Sequence, residues 1–139
     1  MLKQLICIDY GKRRIGLASG QTITKTASPL QAISAKFGLP DWTALDKVIK
    51  TWNPNYIIIG LPIDTNGEYT KITKDVEVFG TAVNERYSAK VHYMNEAYST
   101  REARWQLEKT TNKSVNHLKV DSLAACVILE SWMENNCNE

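Results

Sequence analysis

Between Pro54 and Gly60 the chain reads Asn-Tyr-Ile-Ile-Ile, an apolar run without alternation. A strand wet on one face alternates apolar with polar residues, so a short unbroken run belongs to a strand covered on both sides. Such strands sit in parallel sheets between helices, which restricts the chain to α/β architectures. The flanking segments agree. Residues 41–52 (DWTALDKVIKTW) place Trp42, Leu45, Val48, Ile49 and Trp52 at helical spacing, with Asp41 as N-cap and Asn53-Pro54 as the stop. Beyond the loop at 60–67, Ile72, Val76, Phe79 and Val83 mark a second amphipathic helix, and residues 90–95 (KVHYMN) a further strand. Ser99-Thr100-Arg101-Glu102 forms a capping box that opens a helix to about Lys109. A last helix covers roughly 118–134, with Val120, Leu123, Ala124, Val127 and Ile128 on one apolar face.

The first third of the chain has a different character. Residues 3–9 (KQLICID) read as a strand, Gly11-Lys12-Arg13 as a turn, and residues 15–18 (IGLA) as a second strand. Thr22 to Ser28, rich in β-branched residues and ended by Pro29, reads as a third. A meander followed by alternating helices and strands predicts a mixed five-stranded sheet flanked by helices, the element order of the ribonuclease H-like fold. The 139 residues, 43% hydrophobic, suit a single domain spanning 1–139. No apolar stretch reaches the roughly 20 residues of a membrane span, and the N-terminus turns acidic too soon for a signal peptide. Cys7, Cys126 and Cys137 form no Cys-x-x-Cys pair, which argues against a zinc knuckle, and Cys7 and Cys126 lie in apolar runs as small buried hydrophobes. A reduced, cytoplasmic setting is the expectation.

Three acids stand in apolar company. Asp9 ends the first strand, Glu96 follows the strand at 90–95, and Asp121 lies early in the most apolar helix. Burying a lone carboxylate is costly, so each needs a partner or a proton. Divalent cations could partner all three, and oxygen donors suit Mg²⁺ or Mn²⁺. Two ions roughly 3.5–4 Å apart would activate a water and stabilise the leaving oxygen of a phosphodiester. The net charge is only +2, so a basic surface must be local, and Lys12-Arg13-Arg14 would then hold the phosphate backbone. Plainer readings stand beside this one. Asp9-Tyr-Gly is also a turn signal, Asp121 also favours a helix dipole, Glu96 also suits a wet loop, and three cations also suit an exposed hairpin.

Taken in order, ICIDYGKRRIGLASG, TASPLQAI, YIIIGLPIDTNG, NEAYSTREA and VDSLAACVILESW resemble the successive blocks of the YqgF family, the Holliday-junction-resolvase-like proteins also called pre-16S rRNA nucleases. The resemblance covers nearly the whole chain. It implies a ribonuclease H-like fold and a nuclease dependent on Mg²⁺ or Mn²⁺. The implied substrate is structured RNA at the 5′ end of the 16S rRNA precursor, with a pre-ribosomal particle as setting, or branched DNA. By position, the family's metal-binding and catalytic acids fall on Asp9, Glu96 and Asp121. Its glycine falls on Gly11, its arginine-like position on Arg14, and its Gly-Leu-Pro block on Gly60-Leu61-Pro62, bordering the substrate groove. Nucleic-acid contacts are therefore expected from Gly11, Lys12, Arg13, Arg14, Gly60 and Pro62.

Two positions depart from the family. Its fourth block reads Asp-Glu-Arg-Leu-Ser-Thr, whereas this chain has Asn95-Glu96-Ala97-Tyr98-Ser99-Thr100. On an extended segment Asn95 and Glu96 face opposite sides, so loss of the Asp leaves a metal site intact. Loss of the Arg removes a guanidinium that could hold phosphate bidentately. These departures keep a second reading in view, a catalytically weak nucleic-acid-binding module that assists transcription or ribosome assembly. A small-molecule phosphotransferase lacks support, since no Walker-type loop is present. Among the remaining residues, His92 reads as a buried structural histidine and His117 as a surface or capping one. Trp42 and Trp52 read as core, Tyr10 as packing opposite Asp9, and Asn66-Gly67 as a flexible loop on the substrate side.

Overall fold

A computed structural model describes residues 3–63, 66–95 and 122–136. Its elements run β1 (Gln4–Asp9), β2 (Arg14–Gln21), β3 (Thr26–Lys36), β4 (Leu39–Pro40), α1 (Trp42–Trp52), β5 (Tyr56–Leu61), α2 (Lys71–Arg86), β6 (Lys90–Asn95) and α3 (Leu123–Asn136). They build one sheet in the order β4-β3-β2-β1-β5-β6. The β1–β4 half is antiparallel, whereas β1, β5 and β6 run parallel. This is the mixed, helix-flanked ribonuclease H-like sheet that the element order predicts, with a sixth strand of two residues added at one edge.

Alternation along the strands sends side chains to two cores. Ile6, Ile8, Ile15, Leu17, Ile57, Ile59 and Leu61 meet Leu45 of α1 and Val76, Phe79 and Val83 of α2. Leu5, Cys7, Ala18 and Ile58 meet Ala125, Cys126, Ile128, Leu129, Trp132 and Met133 of α3. Both faces of β5 are thus covered, as its unbroken run of isoleucines requires. The second core also pushes the Cys126 thiol pKa up to about 12, through burial first and the Glu130 carboxylate second.

The helix ends are set locally. Asp41 accepts from the Ala44 amide at 3.1 Å, and Asn53 turns left-handed at φ 44° with its amide on the Ile49 carbonyl. At the start of α2 the Thr70 amide donates to Thr73 Oγ1 at 3.0 Å, and the Thr73 hydroxyl donates to the Pro62 carbonyl. The helix expected at 99–109 and the first residues of the one expected at 118–134 lie outside the described residues.

Four expectations need correction. Thr22–Lys25 is a turn rather than a strand: the Lys25 amide donates back to the Gln21 carbonyl at 3.1 Å, and Lys25 is left-handed at φ 54°. The third strand runs through Pro29, which pairs with Ala18; β4 reaches only Ala35 and Lys36, so at Pro29 the strand is an open edge that tolerates the missing amide. Burial on α3 does not follow one stripe: Ala125 to Leu129 are all buried, while Leu123 and Ala124 are half-buried. A helix apolar on all sides has no stripe to read. Finally, Trp42 packs against the first core, but Trp52 is 37% exposed.

One clasp joins residues 40 apart in sequence. Arg86 of α2 donates Nε and Nη2 to the two Asp46 oxygens of α1, each at 2.7 Å, and the Tyr87 hydroxyl donates to Asp46 Oδ1 at 2.7 Å. The guanidinium also lies 4.9 Å from the centre of the Trp42 ring. Hydrogen bonds from Arg86 and then Tyr87 hold the Asp46 carboxyl at about 2. Asp46→Ala is expected to lower the melting temperature modestly, as loss of an exposed pair does. Because the folded-state pKa is depressed below the ordinary 3.8, the stabilisation is complete above that value and fades as pH falls through about 2. Melting curves of the two proteins from neutral pH downward should converge at the acid end.

Candidate functional site

The carboxyl ends of β1, β5 and β6 lie side by side at one sheet edge, where open α/β sheets bind ligands. The register is explicit: Ile8 pairs with Ile59, Gly60 with Met94, and Leu61 with Asn95. Asp9 closes β1 there, half-buried. It continues the alternation of Leu5 and Cys7, so it belongs to the α3 face of the sheet. Its cross-strand partner is Gly16, which puts no side chain opposite the carboxylate. Tyr10 packs on the other face as expected, its ring 4.8 Å from that of Phe79. Burial, and then the Asp75 carboxylate, raises the pKa of its hydroxyl.

The lead-in to α3 is fastened to the same place. A register shift between Ile15 and Leu17 interrupts the β2–β3 ladder, and the Leu17 amide donates to the buried Ser122 Oγ at 2.9 Å. Leu17 pairs with Ile8, so Ser122 docks one register step from the Asp9–Gly16 pair. Ser122→Ala would leave a buried amide without its acceptor, an expected loss of about 1–3 kcal/mol in denaturant unfolding.

The basic triplet is divided between the two faces. Gly11 is required by its turn, since a Cβ there would collide with the Arg14 carbonyl. Arg14 opens β2, and alternation with Ile15 places it with Gly16 on the Asp9 face. Lys12 goes the other way: its Nζ lies 3.6 Å from Asp75 Oδ2 on α2. Arg13 is exposed, and its carbonyl accepts from the Ala35 amide at 2.8 Å. Sequence gives the three as one block, but the turn distributes them.

In the Gly-Leu-Pro block, Gly60 continues the face of Ile58 toward Asp9, Leu61 is buried on the other face, and the Pro62 carbonyl is held by Thr73. Gly67 has φ 78° in a turn whose next element is α2 rather than a strand. Asn95 alternates with Met94, which packs toward α3, so Asn95 belongs to the face opposite Asp9. The Asp-to-Asn departure therefore lies off the Asp9 face, as strand parity predicts. His92 is half-buried among aromatics, 5.1 Å from Tyr56 and 5.5 Å from Trp132 between ring centres, and burial with nearby Lys90 lowers its pKa.

Glu96, Ala97, Trp105, His117, Asp121 and Cys137 lie outside the described residues. Among the described residues, no group of three or more His, Cys, Asp or Glu side chains is placed to hold a metal ion. No described helix is long and apolar enough to cross a membrane. The carboxylate that is described fits a hard cation in chemistry and place: an oxygen donor at a strand end, partly open to solvent, opposite a glycine. Sequence reasoning missed the Ser122 anchor. Its only signal was a serine directly after a candidate acid.

Comparison with known proteins bears on this edge. A family model described as RuvX, Holliday junction resolvase, matches residues 3–135. A protein of Francisella tularensis subsp. holarctica named "Putative pre-16S rRNA nuclease" is 60% identical over 136 residues, covering 98% of this chain and 100% of its own. A protein of the same name from subsp. novicida is equally similar. Two solved structures share the fold at low identity. Thermus thermophilus RuvC in complex with a Holliday junction substrate gives a TM-score of 0.59 at 11% identity, covering 97% of this chain and 96% of its own. The Fowlpox virus resolvase with Holliday junction DNA gives 0.58 at 14%, covering 95% and 97%.

Proposed function

The chain belongs to the RuvX family of Holliday junction resolvases, also called YqgF, and from that premise we propose that it is a divalent-metal-dependent endonuclease that cuts the 5′ region of precursor 16S rRNA in the cytoplasm. The observation that carries this reading is the placement of Asp9: the end of a central strand, opposite Gly16, level with the carboxyl ends of β5 and β6. Asp9, Glu96 and Asp121 would hold Mg²⁺ or Mn²⁺. Chain continuity supports the set, since Glu96 follows the last residue of β6 and Asp121 precedes the anchored Ser122.

When bound there, the ion supplies Lewis-acid stabilisation of the phosphate and acidifies an attacking water. The chain's own residues do the rest. Arg14, on the Asp9 face, holds a phosphate oxygen beside the scissile bond. Gly16 and Gly60 leave room for a sugar–phosphate backbone to approach the carboxylates. The Pro62 carbonyl, held by the Thr73 hydroxyl, fixes the chain where it leaves β5. Water attacks phosphorus and gives up a proton to solvent, the bond to the leaving oxygen breaks, and that oxygen takes up a proton from solvent, so one water is consumed for each bond cut.

The fold neighbours and the family description also favour branched DNA as substrate. One experiment separates the readings. A labelled 16S precursor fragment and a four-way DNA junction are incubated with Mg²⁺, with Mn²⁺ and with chelator, beside Asp9→Asn. Metal-dependent cutting of the RNA alone is the expected result. Cutting of the junction alone would reassign the substrate, and binding without cutting of either would make the protein a binding module.

A further inference from the structure

The most exposed large hydrophobic residue described is neither in the core nor at the Asp9 site. Phe37 is 94% exposed at the tip of the β3–β4 hairpin. Its backbone is left-handed at φ 52°, followed by Gly38 at φ 83°. Two consecutive positive φ values are what a tight hairpin turn demands, and asparagine or glycine serves such a position best. A phenylalanine here costs the fold twice, in backbone conformation and in apolar exposure. Its ring recovers nothing by packing.

The tip is nonetheless held rigidly. The Tyr10 hydroxyl donates to the Gly38 carbonyl at 2.7 Å, the Gly38 amide donates to the Lys12 carbonyl at 3.1 Å, and the Ala35 amide donates to the Arg13 carbonyl. Those bonds tie the hairpin to the segment directly after Asp9. Behind it lies a groove of about 360 Å³ lined by Lys12, Lys71, Trp42 and Phe79. Lys12 and Lys71 line that groove together with the ring, Lys36 lines the adjoining hollow with it, and exposed Arg13 joins the same hairpin through its carbonyl on the Ala35 amide. The nearby acids are already engaged: Asp75 with Lys12, and Asp41 as the cap of α1. A rigid aromatic face with a cationic rim is complementary to a polyanion whose units carry flat rings.

Resting on the nucleic-acid reading above, we infer that the hairpin tip is a second substrate contact, where the Phe37 ring stacks on an unpaired base and Arg13 and Lys36 hold the flanking phosphates. Base–aromatic stacking of this kind tolerates any base and needs the base to be out of a duplex. The contact lies on the sheet face opposite Asp9, so it grips a segment flanking the cut rather than the scissile bond. It selects substrates in which a single-stranded stretch adjoins a helix.

The test uses the full chain and two RNAs, a hairpin with a single-stranded extension carrying 2-aminopurine and the same hairpin with blunt ends, in chelator. Phe37→Ala should weaken binding of the extended RNA roughly 10-fold and abolish the 2-aminopurine fluorescence change. Phe37→Trp should restore both. Ile23→Ala, also exposed but on the β2–β3 turn, should change neither. Equal affinity of wild type and Phe37→Ala for the extended RNA overturns the inference while leaving the nuclease reading in place. No salt-sensitive binding by the wild type to either RNA overturns both. A shift from dimer to monomer in Phe37→Ala, with RNA affinity unchanged, overturns it in favour of an interface between copies.

Discussion

Asp9→Asn should abolish metal-dependent cleavage while leaving the protein folded. Outer-shell partners of a metal site typically cost about 10–100-fold when removed, and a ligating carboxylate should cost more than the upper end of that range. The amide keeps the shape and one acceptor oxygen at the end of β1, so the melting temperature should stay near that of the wild type. The expected sign on binding separates a catalytic role from a structural one. Without metal, neutralising Asp9 removes a negative charge from the path of a phosphate backbone, so affinity for the RNA should hold or rise as turnover collapses. Single-turnover cleavage beside binding in chelator measures both. Parallel loss in Glu96→Gln and Asp121→Asn is expected if the three acids form one site. Full activity in those two would restrict the chemistry to Asp9 and its neighbours, and wild-type turnover in Asp9→Asn would refute the site altogether.

Leu129→Ala should be the most destabilising of the variants considered, by about 2–5 kcal/mol. Leu129 is fully buried where α3 lies on Leu5, Cys7, Ala18 and Ile58. Its side chain approaches Gly20 of β2 so closely that a Cβ on that glycine would stand 2.8 Å from Leu129 Cδ2. Truncation opens a cavity between α3 and the sheet that rigid strands are poorly placed to fill. A drop in melting temperature on the order of 10 °C follows for a domain of this size. Leu129→Met, close in volume, should cost less than about 1.5 kcal/mol. Equal small losses in both would mean that α3 is not seated on β1 and β2 as described. Activity should decline with stability in the Ala variant, because α3 covers the sheet face to which Asp9 belongs.

Much of this architecture was legible residue by residue. The isoleucine run at 57–59 announced a strand buried on both faces, Asp41 and Asn53 bracketed α1, and the acid after Ile8 marked a strand end. These signals are local, carried by period, caps and β-branching over a few residues. Pro29 misled because proline is excluded from paired positions, and only the sheet order shows that β3 has an open side there. The apolar face of α3 misled because five consecutive residues, 125–129, are all buried there, which leaves no amphipathic period to read.

The chain's own residues therefore settle the order of the described helices and longer strands, the limits of α1 and the position of a carboxylate at the end of a central strand. They also carry the family's blocks in order. Tertiary structure alone settles the rest: Arg14 on the sheet face of Asp9, Lys12 paired with Asp75 on the other, Asp46 with Arg86 across two helices, and Ser122 on the Leu17 amide. The physical reason is range. Backbone preference and side-chain period act within a turn or two, whereas an ion pair, a docked hydroxyl or a shared sheet edge depends on segments that only the finished sheet brings together.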